Sequence, residues 1–189
     1  MPRAKGRRGK GPSREKKKPT PAKKIARPAA PYEFLDHPAD VGFLARGKTL
    51  EELFAQAALA LCDCGWDVST VRVRESVAIR VRAATLEDLL FSWLSEILFL
   101  TDAEKRVFKE FKVEAVEEIT ETPSPARTVE RRTLWEIRGE ARGERLRKSR
   151  HRTRTYIKAV TYHQLAVKRA AAGWPRRGRG WQATVYLDV

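Results

Sequence analysis

Apolar positions along the chain recur in two rhythms. Leu50, Leu53, Phe54, Ala57, Ala58 and Leu61 are spaced by three and four, which gathers them into one stripe of an α-helix. Thr49 followed by Leu50, Glu51 and Glu52 is a start signal: the Thr hydroxyl can accept from the amide three residues on while Glu52 reaches back. The same logic returns at Thr85 and Asp88, which cap a second helix with Leu86, Leu89, Leu90, Trp93, Leu94, Ile97 and Leu98 facing inward. Trp93 and Phe99 are expected in the core.

Elsewhere the period is two. Tyr32 to Leu35 reads as a short strand, HPAD as a turn, and Val41 to Arg46 as a second extended segment. From Val71 to Val81, valines and Ile79 alternate with Arg72, Arg74, Arg80 and Arg82, which predicts a half-buried strand pair turned near Arg74 to Ser76. Its arginine face is either solvated or touches RNA or a partner. Val107 to Val116 alternates as a strand, and residues 117–132 then lose periodicity while gaining charge and proline, as a loop or hairpin linker does. LWEIRGEA resumes the extended pattern, GERLRKSRHRTR is a basic connection, and TYIKAVTYHQLAVKR is a long strand or bent strand pair. After the glycine-rich basic turn AAAGWPRRGRGW, Trp181, Ala183, Val185 and Leu187 alternate with Gln182, Thr184, Tyr186 and Asp188, so the last strand carries Asp188 on its polar side. The sum is α+β: a two-layer sandwich of a mostly antiparallel sheet with two main helices.

Charge separates an arm from this body. Of the formal net charge of +15 over 189 residues, residues 1–30 carry +11 and residues 31–189 only +4. The arm holds almost no large apolar residue besides Ile25, so it cannot offset the entropy of ordering and is expected to be disordered. It reads as a nonspecific RNA contact made by counterion release, or as a solvated extension; without aromatics it has nothing to stack on bases. Residues 31–189 are expected to form one domain. Cys62 and Cys64, in CDC, have the wrong spacing for a zinc knuckle and are too few for a disulfide framework, which fits a reducing cytoplasm. No apolar run reaches the roughly 18 to 20 residues of a membrane span, so no membrane partner is expected.

The candidate chemistry is acidic. Asp188 and the terminal Val189 place two negative groups on one strand end, and such a cluster repels itself unless a cation neutralises it. If the sheet brings the turn of Asp40 alongside, three hard oxygen ligands converge, the chemistry of calcium or magnesium. The alternative is a turn aspartate and a frayed end.

HPADVG, GKTLEELFAQAALAL, TLEDLLFSWLSEILFL, Gly143 and Glu144 with His151 downstream, IKAVTYHQL and the terminal YLDV, in that order, resemble the archease family over about residues 32–189. The resemblance implies an α+β fold and a divalent-metal site, Ca2+ first with Mg2+ or Mn2+ possible, with Asp40, Asp188 and Val189 as ligands. It also implies a partner, an RtcB-type RNA ligase of tRNA splicing or RNA repair. Archeases promote the GTP-dependent guanylylation of that ligase's histidine and its turnover, without being enzymes themselves. Lys158 matches a position suited to contacting the partner or a phosphate, and His37, His163, Glu144 and His151 are further contact candidates. His37 and His163 could each simply be a hydrogen-bonded structural histidine. Pro38 departs from the threonine more usual there, and residues 170–181 are longer and more basic than the usual connection. Two other readings stand beside this one: an RNA-binding or chaperone-like module using the arm and the arginine strands, and a metal-dependent RNA-processing enzyme with Asp40 and Asp188 as ligands.

Overall fold

Both helices begin where their capping residues stand. In the computed structural model, which describes residues 31–35, 41–121, 132–170 and 180–189, α1 runs Leu50–Gly65 and α2 runs Leu86–Asp102. The Thr49 hydroxyl accepts from the Glu52 amide at 3.2 Å, and Thr85 accepts from the Asp88 amide at 3.1 Å. Glu52 reaches back as expected, but to the amide of Lys48 at 2.8 Å, one residue before the cap.

Seven strands surround them: β1 (Tyr32–Leu35), β2 (Val41–Gly47), β3 (Glu75–Ala83), β4 (Arg106–Glu121), β5 (Arg132–Arg145), β6 (Ala159–Arg169) and β7 (Trp181–Asp188). All pair antiparallel, in two sheets of order β1-β2-β7-β6 and β3-β5-β4. The α+β class with two helices is therefore as the sequence implied, with the strands divided between two sheets. Each helix touches both: α1 meets β2, β7 and β4, and α2 meets β6, β3, β5 and β4.

That shared position sets how wide an apolar arc each helix needs. On α1 the expected stripe is buried at Leu53, Phe54, Ala57, Ala58 and Leu61, and Ala60, Cys62 and Cys64 are buried as well. A helix facing one sheet can stay polar over half its girth; one facing two cannot. On α2, Trp93 is fully buried and donates its indole N–H to the Phe54 carbonyl at 3.3 Å. Phe99, expected inside, is 56% exposed, because it lies on the remaining solvent arc of α2. Phe43, Ala45, Ala183 and Val185 close the core from the four-stranded sheet; Ile79, Ile137 and Ala141 close it from the other.

The expected strand pair over Val71 to Val81 is a single strand. Val71 to Arg74 runs as irregular chain beside the end of β5, with the Arg72 amide bonded to the Glu144 carboxylate at 2.7 Å and the Arg74 amide to the Gly143 carbonyl at 2.8 Å. Alternation there reflects anchoring to β5 and not a hairpin. The basic connection 146–158 crosses from one sheet to the other. It is pinned by Leu146 N–H to the Lys105 carbonyl (2.7 Å), Arg154 N–H to the Gly65 carbonyl (2.9 Å) and Lys158 N–H to the Asp188 carbonyl (2.8 Å). IKAVTYH is thus crossover as far as Lys158 and strand from Ala159. Opposite Val185, β6 bulges at Tyr162 to Leu165, with Gln164 at φ 51°.

Candidate functional site

The end of β7 gathers the groups the sequence pointed to. Leu187 points into the core and Asp188 outward, as their alternation predicts. The crossover delivers Lys158 beside it: its ammonium donates to the main-chain oxygen of Val189 at 2.8 Å and lies 3.7 Å from Asp188 Oδ1. Asp188 and Lys158 are both about half exposed (54% and 55%), so this acidic tip is open to a ligand or partner. Val41 pairs with Leu187, which sets the start of β2 at the same end of the sheet. Asp40 and His37, a metal-ligand and a contact candidate, lie outside the described residues.

The outer face behind the tip explains the glycine of HPADVG. A Cβ on Gly42 would stand 2.8 Å from the Tyr186 ring, so only glycine lets that ring lie across β2. His163, exposed on the bulge of β6, meets the same ring edge-on at 5.6 Å and shares a 3.0 Å contact with the Gln164 amide. Sequence motifs placed His163 and Gly42 in separate segments, and the sheet joins them through Tyr186.

Glu144 and His151 go elsewhere. Expected as partner-surface candidates, they are only 4% and 3% exposed and bond to each other inside the molecule. The Arg147 amide donates to His151 Nδ1 at 2.9 Å, while His151 Nε2 lies 3.2 Å from Glu144 Oε1 and 3.3 Å from the Arg150 Nε that points at it. Arg150 pairs with Glu144 Oε2, and Arg74 approaches the same oxygen at 3.6 Å. Burial pushes the Glu144 carboxyl up, but the Arg72 amide, His151 and Arg150 outweigh it and hold the group at about 2. Gly143 makes room for this arrangement, since a Cβ there would collide with the Val107 carbonyl 1.9 Å away. The network locks the crossover that carries Lys158. No local pattern announced it, because its partners come from 72 residues apart as well as from the adjacent turn.

The arginine face of β3 is neutralised internally. Arg80 and Arg82 both hold Glu136 of β5 (2.8 and 2.6 Å), Arg138 adds a third contact at 3.5 Å, and Arg82 also reaches Glu121 at 2.9 Å. Glu136 is left 2% exposed beneath the three guanidiniums. The cysteines are free and buried, and burial pushes Cys62 up to about 12 and Cys64 to about 11. Both stay protonated thiols at neutral pH. Between them Asp63 accepts from Tyr32 of β1 at 3.1 Å and from Arg154 of the crossover at 2.8 Å. Among the described residues no group of three or more His, Cys, Asp or Glu converges as a metal cluster, and no helix is long and apolar enough to cross a membrane.

Two capped helices shared by two antiparallel sheets make a small α+β fold that has a solved representative. The solution structure of Methanobacterium thermoautotrophicum protein 1598 superposes with a TM-score of 0.59 at 28% identity, covering 84% of this chain and 99% of that one. The chain belongs to the archease protein family (MTH1598/TM1083), whose model matches residues 32–189. The protein archease of Methanosarcina mazei is 37% identical over 84% of this chain and 95% of its own length, and that of Pyrococcus furiosus is 32% identical over 84% and 98%.

Proposed function

We propose that this chain is a metal-binding accessory protein that activates an RtcB-type RNA ligase, promoting GTP-dependent guanylylation of the ligase's histidine and its turnover in tRNA splicing or RNA repair. Family membership supports the reading, and the observation that carries it is the open acidic tip: Asp188 beside the Val189 main-chain oxygen, with Lys158 against both. Asp40 directly precedes Val41, whose partner Leu187 directly precedes Asp188, so the chain order allows Asp40 as a third ligand.

This donor set fits a hard divalent cation, because the carboxylates of Asp40 and Asp188 and the end of Val189 offer oxygens only. Asp40, Asp188 and Val189 would hold the ion, Ca2+ first with Mg2+ or Mn2+ as alternatives; bound there, it would supply positive charge against the triphosphate of the ligase's GTP. Lys158 would share its oxygens with the ion or turn to a phosphate, and His163 and His37 would meet the ligase. The chain itself carries out no bond making, and its place of work is the cytoplasm.

The test is multiple-turnover joining of tRNA halves by a cognate RtcB-type ligase with GTP and divalent metal. Addition of the full chain should carry the ligase through repeated turnovers, and identical progress curves with and without it would contradict the proposal.

A further inference from the structure

A cavity of about 320 Å3 opens between the C-terminal ends of α1 and α2 and the crossover, within the range of about 300–1,000 Å3 typical of ligand pockets. Leu61, Ile97, Leu98 and Ile157 form its apolar floor, and Trp66 and Tyr156 add aromatic surface, Tyr156 being 64% exposed. Polar groups converge on the same space: Asp102, Thr153 and Thr155, with the ammonium groups of Lys105 and Lys148. Among the described residues neither lysine has a carboxylate within 4.0 Å, and the same holds for the exposed Arg145 at the end of β5 and for Arg147 and Arg152 of the adjoining crossover, although Arg152 acts on Asp67 from farther away. This is the reverse of the β3 face, where Arg80 and Arg82 are spent on Glu136.

We infer that this cavity binds one nucleotide of a single-stranded RNA, its base against Trp66 and Tyr156 and its flanking phosphates on Lys105 and Lys148, with the exposed Arg145 and Arg147 nearby in sequence adding positive charge. Aromatic faces accept any base, unpaired cations favour a polyanion, and the carboxylate of Asp102 can take a base amino group. An acidic peptide would meet the cations but bring its charge against Asp102. The chain's own arm, at +11, is repelled by the basic rim. This site stands whether or not the acidic tip serves a ligase.

Binding of a fluorescein-labelled single-stranded 12-mer RNA to the full chain, followed by anisotropy across a salt series and by ultraviolet cross-linking with peptide mapping, tests it. Tyr156→Ala, at an exposed position, should weaken binding roughly tenfold, in the range that loss of one base stack gives. Lys105→Gln with Lys148→Gln should flatten the dependence of log K on log salt by about 1.4, the share of two phosphate contacts on a single strand. Cross-links should fall on Trp66, Tyr156 or residues 145–156, and Arg80→Gln should change nothing. Cross-links confined to residues 1–30 with Tyr156→Ala binding as wild type would overturn the inference. So would displacement of the RNA by poly-glutamate at equal charge concentration, or absence of RNA binding.

Discussion

Replacing Glu144 by Gln tests whether the buried network holds the crossover. The substitution keeps size and shape but turns a carboxylate contacted by the Arg72 amide, His151, Arg150 and Arg74 into a neutral amide. Hydrogen bonds to a charged group contribute about 1.5–3 kcal/mol. Stranding a fully buried ionic partner costs about 3–5 kcal/mol, but Arg150 and Arg74 are 25% and 54% exposed and can be rehydrated. The expected loss is therefore about 2–3 kcal/mol, which lowers Tm by roughly 5–10 °C in a domain of this size. The pH dependence has a definite sign. The folded carboxyl sits at about 2 against an ordinary 4.5, so its contribution is fully present above 4.5 and is lost as pH falls toward 2. Urea denaturation at a series of pH values reads both effects: wild type should exceed the variant at pH 7, and the gap should close through that acid window. Equal midpoints at pH 7, or a gap constant down to pH 2, would refute the reasoning.

Gly42→Ala forces a methyl to within 2.8 Å of the Tyr186 ring and should cost about 1–3 kcal/mol by thermal melt, with a double substitution that shrinks Tyr186 costing less than the sum of the two single ones. Thr85→Ala removes the acceptor of the Asp88 amide and should lower stability by about 1 kcal/mol in urea titration. Lys158→Met should leave Tm nearly unchanged, since an exposed ion pair contributes about 0–1 kcal/mol, while calorimetric titration should find Ca2+ binding several-fold tighter with the competing ammonium gone.

Local chemistry was legible in the sequence where it acts over a few residues. The helix starts follow from Thr49 and Thr85, and the outward direction of Asp188 follows from the alternation of β7. Direction and partnership were harder to read. Phe99 is as apolar as Trp93, and only the placing of α2 against both sheets decides that one is buried and the other exposed. The alternation of Val71 to Arg74 looks like a strand, although Glu144 and Gly143 supply its hydrogen bonds. Arg80 and Arg82 read as a free basic face until β5 brings Glu136 beneath them. Of the proposed metal ligands, the contact of Lys158 with Asp188 and Val189 depends on a crossover anchored by a buried ion network, which is invisible in any local pattern.

The most direct test of the central claim is transfer of radiolabelled GMP from GTP to a cognate RtcB-type ligase, with no chain, with the full chain, and with Asp188→Ala. The account predicts strong labelling with the full chain and a return to the level of ligase alone with Asp188→Ala, a substitution at a half-exposed position that should leave the melting curve intact. Full stimulation by the Asp188→Ala chain, or none by the unaltered one, would contradict it.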